Sequence, residues 1–157
     1  MDYKAFFGRN SEIVAKELVG KTLKRTYDHR TSVSGKILET GAYKDGKRTQ
    51  SRTGMLYAPG TLFLMPFRGY QLFNIATDKE NIPSCVEIRR IQVKDKEIEG
   101  PGAISKFLGI EDLDGIVLGN ELRILESAKP VSKIKKLQGS ANNCLCYFLI
   151  DSKPKQR

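Results

Sequence analysis

The 157-residue sequence contains no tryptophan, one histidine and three cysteines. A histidine-dependent catalytic triad could use only His29, which lies in the turn-like stretch 28–31, and we expect this residue on the surface. Cys144 and Cys146 would share one strand face, Cys85 is far away in sequence, and no second paired-cysteine motif accompanies them. The sequence therefore predicts reduced, buried cysteines and no metal site.

Long apolar runs are also absent. No run approaches the roughly 20 residues that cross a bilayer, and Asp2 and Lys4 lead into no apolar core of a signal peptide. We therefore expect an intracellular protein rather than a membrane or secreted one. The length and the 39% hydrophobic content are typical of one folded domain, expected to cover residues 1–157 with a frayed basic tail at 152–157.

The charge is basic and unevenly distributed. Lysine and arginine number 27 against 18 acidic residues, which gives a formal net charge of +9. Residues 21–52 hold nine basic and three acidic side chains and residues 127–157 hold seven and one, whereas residues 53–126 hold eight and eleven. Two basic blocks around a more acidic centre favour a basic face that binds a polyanion, with a generic solvated surface as the alternative.

Local patterns predict an α+β fold in one domain, with a few short helices and a mostly antiparallel, curved sheet. Capping residues and a closing glycine indicate a helix over 10–20, and a Gly-Pro-Gly sequence opens a second helical pattern that stops at Gly109. Arg68 and Gly69 have the length of a two-residue loop in a protruding β-hairpin. Strands are predicted at about 21–27, 35–43, 61–67, 70–75, 84–93, 116–124 and 144–150.

Two strands carry charged side chains among apolar neighbours. Alternation along a strand would place Glu39, Gly41 and Tyr43 on one side of theirs. In the second strand it would separate two sets, Cys85, Glu87, Arg89 and Ile91 on one side and Val86, Ile88 and Arg90 on the other. A buried carboxylate and guanidinium are costly unless they pair or take part in chemistry. The alternative is an edge strand with a simple ion pair on a solvated face.

The predicted hairpin tip brings together Phe67, Arg68 and Tyr70. Two aromatic rings and a cation suit stacking on bases or wedging between them, although a tip with exposed residues is the common alternative. Phe63 and Leu72 are expected to pack the hairpin against the core.

Six stretches of the sequence match one family of enzymes in order, from residue 3 to about 125. They are Tyr-Lys-Ala-Phe-Phe-Gly-Arg at 3–9, residues 14–23, Gly-Lys-Ile-Leu-Glu-Thr-Gly-Ala-Tyr at 35–43, residues 54–55 with 59–63, Cys-Val-Glu-Ile-Arg at 85–89, and 100–110. These stretches resemble the alkyladenine (3-methyladenine) DNA glycosylases. The resemblance implies one α+β domain, a monomer in the nucleus or nucleoid, that binds duplex DNA with a damaged purine. It would flip that base out and hydrolyse the N-glycosidic bond without metal or cofactor.

The resemblance also implies roles for individual residues. Tyr43 would stack on the flipped base, Asn74 would lie near the base edge and help to exclude guanine, and Arg89 would lie close to the reacting sugar. The aromatic residue across the pocket is replaced by Met65, and the wedge tyrosine by Arg68.

The catalytic position is where the resemblance breaks. Family members carry a glutamate two residues before the pocket tyrosine, and this sequence has Gly41 there. The loop 44–53 also lacks the family's pocket histidine. Glu87 stands where relatives carry an apolar residue, and we hypothesise that it is a relocated general base. Glu39 is a weaker catalytic candidate, for which a structural role is expected.

Two other functions stay open. The missing glutamate at position 41 would suit a damaged-DNA-binding protein that does not cleave. A small basic RNA-binding module is the third possibility, and it predicts no preference for damaged bases.

Overall fold

The computed structural model describes residues 1–44, 57–79, 81–127, 134–138 and 144–149. These residues form helices and strands in an α+β arrangement. The helices are α1 (Tyr3–Phe7), α2 (Ser11–Leu18) and α3 (Pro101–Leu108). The strands are β1 (Thr22–Thr26), β2 (Ser32–Tyr43), β3 (Leu62–Phe67), β4 (Tyr70–Ala76), β5 (Cys85–Val93), β6 (Lys96–Glu99), β7 (Leu122–Leu125), β8 (Ile134–Gln138) and β9 (Cys144–Leu149).

One antiparallel sheet contains all nine of these strands. Its main order is β3-β4-β5-β2-β1-β7, with β6 paired to β5 and with β9 paired to both β2 and β8. Every ladder between these strands is antiparallel. The predicted α+β fold with a mostly antiparallel sheet is therefore confirmed, and β2 is the strand that joins its parts.

The helices cover one face of the sheet, which we call the helix face. Asn10 caps α2 by accepting a hydrogen bond from the Glu12 amide at 2.8 Å, and α2 then buries Val14 and Leu18. The hydroxyl of Thr40 in β2 donates to the Ala15 carbonyl at 2.7 Å. The main hydrophobic core lies between these elements, and its fully buried side chains include Phe7, Leu18, Leu23, Ile37, Phe73, Ile88, Ile91 and Ile104.

The hairpin of β3 and β4 has the predicted two-residue loop. Arg68 and Gly69 have φ values of 48° and 83°, as a tight turn between twisted strands requires. Helix α3 supports the hairpin from one side, since a Cβ on Gly102 would come within 2.6 Å of the Tyr70 Cβ. A glycine at 102 therefore lets the helix approach the base of the hairpin tip.

A β-bulge in β5 corrects the expected alternation of its side chains. Ile88 and Ile91 both pack in the main core although they are three residues apart. Glu39 pairs with Arg90 and Thr40 with Ile88, so that the register passes over Arg89. Arg90 therefore lies on the side of Glu39, not with Ile88 as predicted, and Ile91 faces the core.

The secondary structure differs from the prediction in one strand and in three additional elements. The strand predicted at 116–124 is reduced to β7 and an isolated bridge between Thr61 and Val117. Gly115 and Gly119 have φ values of 89° and 151°, which interrupt an extended strand there. Helix α1 and strands β6 and β8 were not predicted.

Among the described residues, no helix is long and apolar enough to cross a membrane. The predicted tail at 152–157 lies outside the described residues.

Candidate active site

Glu87 lies directly opposite Gly41 on neighbouring antiparallel strands. Directly paired residues point to the same side of a sheet, with Cα atoms about 4.5–5.5 Å apart. Tyr43 is two residues from Gly41 and shares that side, which is opposite the helix face and which we call the site face. The side chain of Glu87 therefore lies on the site face next to Gly41, which has no side chain of its own. Glu87 is only 5% exposed.

Arg89 links the carboxylate to the tyrosine. Its Nε donates to Glu87 Oε1 at 2.9 Å, and its Nη2 donates to the Tyr43 hydroxyl at 2.9 Å. The bulge re-aims Arg89 so that it reaches across to β2. Because the side chains of Arg89 and Glu87 are 13% and 6% exposed, their charges interact more strongly than a surface pair would. The structure thus brings together three of the predicted site residues in one buried network.

An apolar cluster adjoins this network on the site face. Tyr43, Phe63 and Cys85 are buried together, and Met65 packs against them. Phe63 lies in this second cluster rather than in the main core, because it pairs with Asn74 on the site face of the hairpin. Tyr43 and Met65, predicted on opposite walls of a base pocket, therefore belong to one cluster.

Asn74 is fully buried next to the carboxylate. It pairs in register with Glu87. Its side-chain amide donates to the Leu72 carbonyl at 3.1 Å, and its Oδ1 accepts from Cys85 Sγ at 3.5 Å. These bonds fix the amide orientation on the site face, and the role of Asn74 toward a purine edge stays a prediction. Cys85 is buried and reduced, as predicted, whereas the side chains of the other two cysteines lie outside the described part of the chain.

Glu39 takes part in a second charged group. It is 4% exposed, and its Oε2 lies 3.4 Å from Nε of Arg90, which is itself 1% exposed. Nη1 of Arg90 also donates to Glu97 Oε2 at 3.2 Å. This ion-pair group joins β2, β5 and β6, an arrangement that fits the expected structural role. The catalytic role of Glu39 stays a prediction.

The candidate wedge residues are exposed at the hairpin tip. Phe67 and Tyr70 are 50% and 49% exposed, and the guanidinium carbon of Arg68 lies 5.1 Å from the Phe67 ring centroid. Tyr70 lies four residues from Asn74, or about 13 Å along the strand. The tip therefore presents two rings and a cation about 13 Å along the strand from Asn74, which pairs with Glu87, and its wedge role stays a prediction.

Sequence reasoning missed Tyr57 and Asp114. The Tyr57 ring packs edge-on against Phe63 with centroids 6.0 Å apart, and its hydroxyl donates to Asp114 Oδ2 at 2.8 Å. Asp114 Oδ1 accepts from the Leu64 amide at 2.9 Å. The hydrogen bond to Asp114, together with burial, raises the pKa of the Tyr57 hydroxyl. These residues are 57 positions apart, and no local pattern in the sequence indicates their contact.

Two grooves on the protein surface lie away from the candidate site. Two surface grooves of about 460 and 760 Å³ lie along the β5–β6 side of the protein and do not include Glu87. They are open, mixed surfaces without a buried charged group. We therefore locate the candidate site by its buried charges and paired strands. Within the described residues, no group of three histidine, cysteine, aspartate or glutamate side chains could hold a metal ion.

Sequence comparison identifies the family of the chain. A sequence model of the methylpurine-DNA glycosylase (MPG) family matches residues 5–139. The chain belongs to this family, which confirms the resemblance drawn from its motifs.

Similar proteins come from several bacteria. A protein of Clostridium perfringens (strain 13 / Type A), named "Putative 3-methyladenine DNA glycosylase", is 34% identical over 143 residues, covering 83% of this chain and 60% of the relative. A protein with the same name from Legionella pneumophila (strain Paris) is 31% identical, covering 81% and 77%. One from Synechococcus elongatus is 32% identical, covering 65% and 59%. The chain thus spans about 60% of the length of the first and third of these curated relatives.

Proposed function

We propose that this protein is a DNA glycosylase that releases an alkylated purine from duplex DNA, with Glu87 as general base. The family and the names of its relatives support the reaction class. The observation that carries the assignment of Glu87 is its pairing with Gly41, where the resemblance expects the catalytic glutamate. The carboxylate that is absent at Gly41 in β2 is thus replaced by one at the directly paired position in β5.

The proposed reaction needs one water molecule and no electron transfer. Glu87 takes a proton from the water as its oxygen attacks C1′ of the deoxyribose. The bond between C1′ and the purine nitrogen breaks, and the base leaves with the bonding electron pair. A purine alkylated on the ring carries a positive charge and departs as a neutral base, so that no acid is required at this step. The products are the free base and an abasic site, and Glu87 returns its proton to solvent.

Arg89 would position the carboxylate in this reaction. Its Nε donates to Glu87 Oε1 at 2.9 Å, which would fix the orientation of the carboxylate toward the attacking water. The same guanidinium holds the Tyr43 hydroxyl, so that the base-stacking ring and the general base share one support. Fixing both groups before the substrate arrives is how preorganised sites lower a barrier.

The damaged nucleotide would reach this site by leaving the duplex. Flipping a base costs a few kcal/mol of stacking and pairing, which a wedge and an aromatic pocket can offset. The exposed tip residues Phe67, Arg68 and Tyr70 would fill the gap, while Tyr43 and Met65 would contact the base and Asn74 would lie near its edge. The partner is thus duplex DNA with a damaged purine, and the resemblance implies a nucleus or nucleoid.

A second function is favoured by one observation. Gly41 contributes no carboxylate, and Glu87 is already bonded to Arg89. If that bond holds the carboxylate away from C1′, the protein binds damaged DNA without cleaving it. The two functions differ in base release and agree in damage preference.

The decisive experiment measures base release and binding together. Duplex DNA with a single 3-methyladenine, a ring-alkylated base with a positive charge, is incubated with excess protein, and both the freed base and the bound fraction are followed. We expect release by the wild type and a loss of at least about 100-fold in Glu87→Gln, the range that general-base catalysis supplies. Because Glu87→Gln keeps the size of the side chain and an oxygen for Arg89, we expect the variant to fold like the wild type. Circular dichroism checks this expectation.

A matched double variant moves the carboxylate back. Gly41→Glu combined with Glu87→Leu recreates the arrangement that the resemblance expects, and it should release more base than Glu87→Leu alone. Full release by Glu87→Gln would overturn the general-base role. Binding without release by the wild type would favour the non-cleaving function, and equal binding to undamaged duplex would refute both.

A further inference from the structure

Three cations lie together on the exposed side of β1, β2 and β7. Lys24 lies directly opposite Arg123 and opposite Ser34 in the two neighbouring strands. Lys36 pairs with Thr22 and is therefore diagonal to Lys24, a separation of about 7–8 Å. We call Lys24, Lys36 and Arg123 the basic ladder.

Within the described part of the chain, the ladder residues form no ion pair, unlike neighbouring cations. Lys21 and Arg25, in the same part of the chain, pair with Glu126 and Glu121. No carboxylate among the described residues lies within 4.0 Å of the amino or guanidinium nitrogens of Lys24, Lys36 or Arg123. Like charges opposite each other destabilise a sheet, so that a bound anion would relieve their repulsion.

The ladder lies on the same face of the sheet as the candidate site. Ile37 and Leu38 are consecutive in β2, yet both pack in the main core, which reverses the alternation at this point. Lys36 therefore points away from the core before the irregularity, and Gly41 and Tyr43 do so after it. One side of β2 thus carries both the basic ladder and the site face.

The order of the strands also sets the distance between the basic ladder and the candidate site. The hairpin forms one end of the strand order, β5 and β2 carry Glu87 and Gly41 in the middle, and β1 and β7 form the other end. Lys36 lies five residues before Gly41, or about 17 Å along β2. Duplex DNA rises about 3.4 Å per base pair, so this distance corresponds to about five base pairs.

We propose that the basic ladder binds the phosphate backbone of duplex DNA about five base pairs to one side of the flipped nucleotide. The inference rests on the proposed function for the identity of the ligand. It adds a second contact region, separate from the hairpin, that sets how much duplex the protein needs beside the lesion. The three cations would contact up to three phosphates and displace their condensed counterions.

The test compares two variants with the same loss of charge. The ladder variant carries Lys24→Gln, Lys36→Gln and Arg123→Gln. The control variant carries Lys4→Gln, Lys16→Gln and Lys106→Gln, three exposed residues on the helices that cover the opposite face. Fluorescence anisotropy measures the Kd for a 25-base-pair lesion duplex between 50 and 200 mM NaCl.

We expect the ladder variant to lose about 2.7 from the slope of log affinity against log salt. Over this range the wild-type affinity would then fall about 40-fold more than that of the ladder variant. Shortened duplexes that end three base pairs from the lesion on either side locate the contact. Shortening on one side should weaken wild-type binding and leave the ladder variant unchanged.

Three results would overturn the proposal. They are an equal slope change in both variants, equal effects of shortening on wild type and ladder variant, and the same salt-dependent loss on single-stranded RNA of equal length. Base release under single-turnover, saturating conditions separates this from the proposed function. If the wild type releases no base but the ladder variant still has a smaller salt slope, the proposed glycosylase activity is refuted and the phosphate contact of the ladder is supported. If the wild type releases base and the salt slope is unchanged in the ladder variant, only the phosphate contact is refuted.

Discussion

Arg89 donates a hydrogen bond to the Tyr43 hydroxyl across two strands, with 2.9 Å between Nη2 and the oxygen. The guanidinium carbon lies over the same ring, 5.9 Å from its centroid, which is within the range of a cation–π contact. Arg89 is also the residue that the bulged register passes over. The irregularity of β5 therefore allows an arginine in a largely buried strand to contact both Glu87 and Tyr43.

Arg89→Lys should separate these two contacts. A lysine ammonium is a point donor and cannot reproduce the fork that holds both partners. We expect the free energy of unfolding to fall by about 2 kcal/mol, because a buried carboxylate and a hydroxyl lose a fixed donor. Base release should fall at least about tenfold, since Glu87 loses its orientation. Urea unfolding and single-turnover release measure the two effects.

Tyr43→Phe is the matched control, because it removes only the hydroxyl. It should cost about 1 kcal/mol and leave the Glu87 contact in place. A double-mutant cycle with Arg89→Lys should give a coupling of at least about 0.5 kcal/mol. Strict additivity of the two substitutions would contradict the bond between them.

The sequence was sufficient for the hairpin, the helix of residues 10–20 and the assignment of Glu87 beside Arg89, because each depends on neighbours in the chain. Strand alternation predicted the shared side of Gly41 and Tyr43. It failed beyond Arg89, since a bulge depends on the register of the neighbouring strand and no residue type marks it. The pairing of Gly41 with Glu87 likewise depends on sheet order, which local patterns do not contain.

The contact of Tyr57 with Asp114 was missed for the same reason. Asp114 lies in a loop where turn chemistry accounts for its presence, and only the packed fold shows that its two oxygens accept hydrogen bonds from Tyr57, ahead of β3, and from Leu64 in β3. The paired ladder cations were visible in the sequence only as members of a basic block.

Asp114→Ala should destabilise the protein more than Tyr57→Phe. Both substitutions remove the hydroxyl–carboxylate bond, but only the first leaves the amide of the buried residue Leu64 without its acceptor. An unsatisfied buried amide costs about 1–3 kcal/mol, whereas the loss of a half-exposed hydroxyl costs about 1 kcal/mol or less. Urea denaturation of both variants measures the difference, and equal losses would contradict the role given to the Leu64 bond.

Arg68→Ala tests the wedge. If Arg68 enters the gap left by a flipped base, the substitution should weaken binding to a lesion duplex about tenfold while changing binding to a single strand by less than twofold, since a single strand has no gap to fill. Competition binding on both ligands at one salt concentration measures this. Lys94→Ala, at the β5–β6 turn, controls for the loss of one positive charge. Equal weakening on duplex and single strand would show a phosphate contact only.

Tyr147 makes the free energy of unfolding depend on pH in the alkaline range. The residue lies in β9 at 5% exposure, and its hydroxyl donates to Glu12 Oε1 at 3.4 Å. Burial, followed by the negative charge of Glu12 and this hydrogen bond, raises the pKa of Tyr147 to about 12. An unfolded tyrosine titrates near pH 10. The stabilisation is therefore complete below about pH 10 and is lost as the pH rises through about 12, because the unfolded chain releases its proton first.

Tyr147→Phe should remove this dependence. The free energy of unfolding of the wild type, taken relative to the variant, should decrease by about 1.4 kcal/mol between pH 8 and pH 11, since one pH unit above the unfolded pKa corresponds to that energy. Urea unfolding at several pH values, with the same salt throughout, measures the difference. Lysines and the other tyrosines titrate in both proteins and cancel in the comparison. A difference that stays constant from pH 8 to pH 11 would mean that Tyr147 titrates alike in the folded and unfolded chains, and that its contact with Glu12 does not anchor β9 to α2.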